Sequence, residues 1–155
     1  MAVTANWYGL AVQHNWGGSA GSATPVNWIN DTIKVSLHTA TYTPNQDTEE
    51  YRSSVAALVT NELPAAGGYT VRGTTLAGKS LTYDSTTNES RLIAGNASWA
   101  SATFTCQIAV IYKDTGTDST SVLQGYVNMG AAQSVSSGTF TIQWDATGVL
   151  KGTAA

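Results

Sequence analysis

The 155-residue sequence contains few charged side chains: 11% of its residues are Lys, Arg, Asp or Glu, against a usual figure of about 25%. With 7 basic and 10 acidic residues the net charge is −3, so the chain lacks the basic surface that phosphate binding requires. No apolar run reaches the ~20 residues of a membrane span. We therefore expect neither nucleic acid nor a membrane as a partner.

Cysteine and histidine are also scarce. The single cysteine, Cys106, excludes an internal disulfide and falls on the apolar side of a predicted strand, which favours core packing over catalysis. His14 and His38 have no partner at metal-ligand spacing and are interpreted as surface or turn residues. The loop 114–118 carries two aspartates but lacks the closing Glu of a calcium loop. The sequence therefore predicts no enzyme, no cofactor and no metal site.

Small residues make up much of the chain. The 23 Thr, 15 Ser, 21 Ala and 15 Gly account for 74 of the 155 positions, so the surface must consist largely of hydroxyls, amides and backbone rather than ions. Five Trp and seven Tyr accompany them, and these side chains are favoured at interfaces because a large apolar body carries a polar tip. This composition is typical of a protein that packs against copies of itself or against other partners.

Apolar and polar residues alternate with a period of two along much of the chain, which is typical of strands with one buried face. The clearest example is 103–112, which becomes more apolar toward its end. In 31–38 the same pattern places Lys34 and Ser36 outside. Further strands are predicted at 79–84, 91–93, 122–129 and 139–144.

Turn residues separate these strands, including Ser137 with Gly138 and Thr147 with Gly148. The pattern predicts an all-β fold: a single antiparallel β-sandwich or barrel, jelly-roll-like or immunoglobulin-like. One short helix is predicted near residues 49–63, where Glu49 and Glu50 would occupy the first turn and Pro64 would end the helix. A shorter helical turn is predicted within 7–14.

The chain is expected to form one domain overall. Residues 1–30 are interpreted as a flexible N-terminal arm that includes a Gly/Ser-rich loop at 15–24, and residues 31–155 as the β-sandwich. Trp28, Trp99 and Trp144 stand beside predicted strands and are assigned to the core.

Four apolar residues of the arm are candidate interface residues because few apolar neighbours surround them in the sequence: Trp7, Tyr8, Leu10 and Trp16. Chain termini are usually loose unless something holds them. Either the arm packs back on its own sandwich, or it docks on another chain. Exposed aromatic rings beside Asn, Gln and Asp also stack on sugar rings, which keeps a glycan-binding alternative open.

Taken together, several segments resemble a family of small structural proteins of tailed bacteriophages. The resemblance covers about residues 3–150, and it depends on the ordered set of segments rather than on any one of them. The segments are 6–10 (NWYGL), 31–35 (DTIKV), 42–47 (YTPNQD), 68–69 (GY), 76–79 (LAGK), 109–114 (AVIYKD), 125–127 (GYV) and 138–150 (GTFTIQWDATGVL). The loop at 15–24 departs from the family pattern because it is longer and richer in Gly and Ser.

The resemblance implies a virion component of the head decoration, head fibre or minor tail type, with no catalytic residues to carry over. The expected function is a capsid decoration (minor capsid) protein, made in the bacterial cytoplasm and located on the outer head surface. Its expected partners are the major capsid protein and copies of itself, with a trimer as one arrangement. The alternatives are a receptor- or glycan-binding protein of a head fibre or tail tip, and a minor tail structural protein.

Overall fold

The computed structural model describes residues 2–16, 25–54 and 56–153. Strands dominate the described residues, so the predicted all-β class is confirmed. These residues form nine strands and two short helices: β1 (Ala2–Val3), β2 (Asn6–Trp7), α1 (Gly9–Asn15), β3 (Ile33–His38), α2 (Ala56–Thr60), β4 (Thr74–Thr75), β5 (Ser80–Asp84), β6 (Glu89–Ile93), β7 (Ala97–Lys113), β8 (Leu123–Trp144) and β9 (Leu150–Thr153).

Two sheets form a sandwich. The larger has the order β1–β8–β7–β3–β4, with β2 also paired to β8, and the smaller has the order β5–β6–β9. The β1–β8 pair is parallel, while the other strand pairs of the described chain are antiparallel. Apolar residues of both sheets meet in one core, with Val35 and Ile111 from the larger sheet and Leu150 from the smaller. Over the described residues the sheets do not close into a barrel.

Three tryptophans connect the smaller sheet and its flanking residues to the rest of the fold. Each donates its indole N–H to a backbone carbonyl: Trp7 to Lys151 at 2.8 Å, Trp28 to Ile93 at 2.9 Å and Trp144 to Gly95 at 3.1 Å. The predicted core positions of Trp28, Trp99 and Trp144 are confirmed, because all three side chains are buried. A buried indole that also satisfies its N–H fixes both the packing and the orientation of its neighbours.

β7 and β8 form a long two-stranded ribbon that is joined by the loop 114–122. Its register runs from Tyr112 opposite Leu123 to Ala97 opposite Ile142. The predicted strands 122–129 and 139–144 are therefore parts of one strand.

Bulges explain why β8 looks interrupted in the sequence. The turn predicted at Ser137 and Gly138 is wrong: pairing with β7 continues through it, while Ser137 and the nearby Ser101 adopt positive φ angles of 50° and 51°. Earlier in β8, the four residues 129–132 lie opposite the single residue Gln107 of β7. A bulge lets the backbone bend locally without ending the ladder, so turn-like residues occur inside a strand.

Both faces of the sheet are covered at 108–112, whereas the alternation predicted one buried face. The irregularity between Cys106 and Ile108 changes the side on which the side chains fall. Cys106 packs in the core between the sheets, as predicted, but Ile108 packs with Tyr8 and Leu58 of the helical side. The alternation of residues in this strand therefore did not indicate that its second face is also covered. That face is buried only when distant segments of the chain fold onto it.

The helix predicted near 49–63 is confined to Ala56–Thr60. Glu49 does not start a helix but is buried and accepts a hydrogen bond from Tyr42, and Tyr51 forms a bridge with Val122. These tertiary contacts hold the preceding residues in an irregular conformation that helical spacing alone does not reveal. The helical turn predicted within 7–14 is present as α1.

Candidate functional site

Six charged side chains gather where the loop 114–122 meets β3, and we call them the charged cluster: Lys34, Arg52, Glu62, Arg72, Asp114 and Asp118. Arg52 is buried at the centre, with Nη2 2.5 Å from Glu62 and Nε 2.9 Å from Asp118. Three cations and three carboxylates make the cluster neutral. Burying charge is costly unless each ion is paired and hydrogen-bonded, and this arrangement meets that condition.

Arg72 clamps the loop from the other side. Its guanidinium lies 2.5 Å from carboxylate oxygens of both Asp114 and Asp118. Its backbone has a positive φ of 74°, a conformation that costs a non-glycine residue roughly 1–2 kcal/mol. The N–H of Arg72 donates to Glu62 at 2.5 Å and its carbonyl accepts from the Tyr112 hydroxyl at 2.6 Å. The strained backbone conformation of Arg72 is therefore held in place by contacts of both its backbone and its side chain.

A chain of hydrogen bonds extends the charged cluster under α2. Arg52 donates to the Ser36 hydroxyl at 3.2 Å, Ser36 lies 2.8 Å from Nε2 of His38, and Nδ1 of His38 lies 3.0 Å from the Leu58 carbonyl. Since that carbonyl only accepts, Nδ1 carries the proton and Nε2 accepts from Ser36. Burial, and secondarily Arg52, lowers the pKa of His38 to about 3, so the ring is neutral near pH 7.

Three surface predictions are therefore wrong. Ser36, His38 and His14 are all buried. Residues of α1 and α2 cover the face of β3 that alternation places outside, and His14 is itself a residue of α1 that packs against the ring of Tyr51. His14 lies 3.1 Å from Glu50. The sequence contained no signal for these contacts, since the segments that cover this face are distant in the chain.

Electrostatics at the loop favour the ionised carboxylates. Burial opposes ionisation of Asp114, but Lys34, Arg72 and the Gly116 N–H outweigh it and lower its pKa to about 2. The pKa of Asp118 is also lowered, because Arg52 and Arg72 outweigh the effect of burial. At neutral pH every carboxylate in the loop is ionised and paired.

A second buried polar chain anchors the N-terminal arm. The hydroxyls of Tyr8 and Tyr42 are 2.7 Å apart, and Tyr42 donates to Glu49 at 2.5 Å. Burial, followed by contacts with Tyr42, raises the pKa of Tyr8 well above its usual value, so its hydroxyl stays protonated at neutral pH. This part of the arm packs on its own sandwich.

The buried polar groups of both chains are hydrogen-bonded within the protein. Within the described ranges no buried side-chain N or O atom lacks a hydrogen-bond partner, and no group of three or more His, Cys, Asp or Glu residues is arranged to hold a metal ion. Burial raises the pKa of the Cys106 thiol to about 12, so the reactive thiolate is not populated. The charged cluster is suited to fixing the loop geometry.

The opposite end of the β7–β8 ribbon contains no charged residue, and we call it the neutral ribbon: residues 97–107 of β7 and 128–142 of β8. Its inner face carries the aromatic rings of Trp99, Phe104 and Phe140, which pack edge-to-face or tilted with centroids 5.4–5.9 Å apart. Aromatic pairs of this kind contribute about 0.5–1.5 kcal/mol beyond the apolar area that they bury.

The outer face of the neutral ribbon is exposed and rich in hydroxyls. Cross-strand pairs link Thr105 to Ser134 at 2.7 Å and Ser98 to Thr141 at 3.0 Å. Pairs of this kind contribute modestly to sheet stability. This face therefore offers hydrogen-bond donors and acceptors without fixed charge.

A groove of about 250 Å³ lies beside β8 where the neutral ribbon approaches β1. Apolar side chains and uncharged polar side chains both line it: Val3, Val127, Asn128, Met129, Gln133, Phe140, Thr141, Ile142 and Gln143. None of the described residues that line it is titratable.

The four candidate interface residues differ in how exposed their side chains are. Tyr8 is fully buried, Trp7 and Leu10 are half-buried, and Trp16 is 85% exposed. Most of the Gly/Ser-rich loop lies outside the described residues. Sequence reasoning missed the charged cluster, although Asp114 and Asp118 share one short loop and such carboxylates require cations. Nothing in the sequence indicated that Arg52 and Arg72 supply them.

No family model, curated protein or solved structure matches this chain. The described residues include no helix that is long and apolar enough to cross a membrane.

Proposed function

We propose that this chain is a structural protein of a bacteriophage virion, a capsid decoration protein on the outer head surface that bridges capsomers. The observation that carries this proposal is the neutral ribbon, an exposed, hydroxyl-rich surface without charge on a well-packed domain. The sequence resemblance supports a bacteriophage virion as the particle. The proposed partners are the major capsid protein and further copies of this chain.

The distribution of charge supports contact through uncharged groups. All seven basic side chains bond within the chain, six to carboxylates and Lys79 to the carbonyl of Asp31. A surface with few free ions desolvates at low cost when it meets another protein. The same property disfavours binding that depends on phosphate contacts.

The proposed mechanism is thermodynamic. A protein that binds the assembled shell but not its separate subunits stabilises the shell by mass action. Many copies on one particle multiply a modest contact energy, as in other multivalent systems. A rigid domain loses little conformational entropy on docking, and the charged cluster provides rigidity away from the neutral ribbon.

Cryo-electron microscopy of the purified virion tests the proposed location. We expect density for this domain on the outer head surface at capsomer junctions, and heads that lack the protein should lose DNA at lower temperature. Density at the tail would support the minor tail alternative instead. Unchanged head stability after deletion of the gene would contradict the decoration role.

A glycan-binding role is the second candidate, and the exposure of Trp16 favours it. An exposed indole presents a face on which a sugar ring stacks. Binding to a glycan array should then be lost in Trp16→Ala and largely kept in Trp16→Phe, which retains an aromatic face. Absence of wild-type binding across the array would contradict this role.

A further inference from the structure

Most sheet edges of this fold are short or bear charge. β4 ends the larger sheet with only two residues, and the smaller sheet ends at β5 and β9, where Asp84 and Lys151 lie. Short length and charged side chains both protect an edge, because unpaired backbone groups otherwise recruit another strand. These edges are therefore poor sites for pairing with a second molecule.

The free side of β8 lacks this protection. β2 pairs with β8 at Gly125 and Tyr126, and β1 pairs at Gln143 and Trp144. Between these two contacts, no described strand pairs with the side of β8 that faces away from β7. The intervening residues 127–142 contain neither a charged residue nor a proline, and they are mostly exposed.

The groove beside this edge adds side-chain contacts to the backbone groups. Phe140 and Met129 are partly buried against the core, while Gln133 and Thr141 are exposed at the same groove. Strand addition at a sheet edge takes its affinity from backbone hydrogen bonds and its specificity from neighbouring side-chain pockets. Neither strand of the neutral ribbon carries a charge, so a charged residue of the added strand would be desolvated there without a partner, which favours an uncharged strand.

We propose that the free edge of β8 pairs with the same edge of a second copy of this chain, antiparallel and around a two-fold axis. A two-fold interface brings each residue near its own counterpart, so any charged residue at the edge would face a like charge. The edge carries none. Ser and Thr side chains instead face other hydroxyls, which form favourable cross-strand pairs.

The bulges in β8 limit which part of its edge can pair with a second copy. Residues 129–132 and the region of Ser137 bend β8, whereas residues 140–142 keep a regular register with β7. The stretch 139–142 borders the groove through Phe140, Thr141 and Ile142, and it is the segment that we assign to the two-fold axis. The resulting assembly is a dimer with one continuous sheet, which differs from the trimer named as one arrangement from the sequence. This inference does not depend on a role in the virion.

Sedimentation equilibrium of the full chain over a range of concentrations tests the dimer. We expect the wild type to approach twice the 16.2 kDa chain mass. Thr139→Lys places a like charge on both copies beside the axis and should raise the dimer dissociation constant about tenfold or more. Thr139→Val keeps a β-branched neutral residue and removes only the hydroxyl, so it should weaken the dimer far less than Thr139→Lys does.

A matched control distinguishes the effect of a charge at the β8 edge from the effect of a charge elsewhere on the surface. Ala100→Lys adds the same charge at an exposed position of β7 near Thr139 but on the inner strand of the ribbon, so its dimer should persist. Amide hydrogen exchange gives a second readout that does not require a variant: amides within 139–142 should exchange more slowly at high protein concentration. Circular dichroism verifies that each variant is folded.

Three results would overturn the proposal. These are a wild-type chain that stays monomeric at all concentrations, a wild-type trimer, and a folded Thr139→Lys variant that dimerises as tightly as the wild type. Concentration-independent exchange within 139–142 would count equally against this edge. A dimer that nevertheless fails to bind heads would contradict the decoration role and leave this inference intact.

Discussion

The two ends of the β7–β8 ribbon have the same backbone architecture but opposite chemistry. At the end near the loop 114–122, both faces are covered and Arg52 lies within 4.5 Å of the Tyr112 ring centroid. At the other end, one face is covered by the core and the other presents hydroxyls and no charge. The β7–β8 ribbon is therefore held by contacts within the protein at one end, while the other end has an exposed face that is available for contact with another molecule.

The difference has an energetic consequence. A buried ion pair adds little net stability relative to apolar packing, yet removing one partner leaves an uncompensated charge. An exposed hydroxyl contributes little to folding in either case. The charged cluster should therefore govern stability, while the neutral ribbon should govern association. The following predictions test this division.

The largest expected effect is at the centre of the charged cluster. Arg52→Met leaves Glu62 buried without its cation, and we expect a loss of about 3–5 kcal/mol in the free energy of unfolding. The midpoint of urea denaturation measures it. Arg91→Met is the matched control, because Arg91 pairs with Glu89 and Asp84 at the surface and surface pairs contribute little. Equal losses in both variants would contradict a special role for the cluster.

A smaller effect is expected from one hydroxyl of the same region. In Tyr69→Phe the hydroxyl that donates to Glu62 at 2.6 Å and accepts from the Leu37 N–H at 3.1 Å is lost. Leaving these buried groups unsatisfied should cost about 1–3 kcal/mol of unfolding free energy. Tyr83→Phe, at an exposed tyrosine, should change thermal stability far less. A smaller loss in Tyr69→Phe than in Tyr83→Phe would contradict the cluster's importance.

Low pH should reduce the contribution of the charged cluster to the free energy of unfolding. The pKa of Asp114 is about 2 in the folded chain, below its ordinary value of about 3.9. Its contribution to stability is therefore complete above about pH 4 and is lost as the pH falls toward 2. Asp114→Asn should be less stable than the wild type at pH 7, and the gap should narrow as the pH falls through this window. A gap independent of pH would show that ionisation of Asp114 is not involved.

The smallest effect is expected in the neutral ribbon. Thr105→Val removes the exposed hydroxyl pair with Ser134 and keeps a β-branched residue, so unfolding free energy should change by less than about 0.5 kcal/mol. Calorimetry measures this change. A loss comparable with that in Tyr69→Phe would remove the proposed contrast between the two ends.

Local patterns in the sequence predicted much of the sheet. Alternation located β3 and the apolar part of β7, and the strands predicted at 79–84 and 91–93 correspond to β5 and to the end of β6. Such patterns succeed because strand side chains alternate regardless of the rest of the fold. The continuity of β8 was missed, because Gly130 and Ser137 resemble turn residues yet form bulges within a paired strand.

The fold class, the core positions of Cys106 and three tryptophans, and the scarcity of ionisable groups all follow from the sequence. The meeting of the few charges, the burial of Ser36 and both histidines, and the unpaired edge of β8 depend on how the chain folds. These features differ in the range over which the interactions act. Alternation and turn chemistry act between neighbours, whereas the pairing of Arg52 with Asp118 joins segments 66 residues apart and exists only once the sheets have formed.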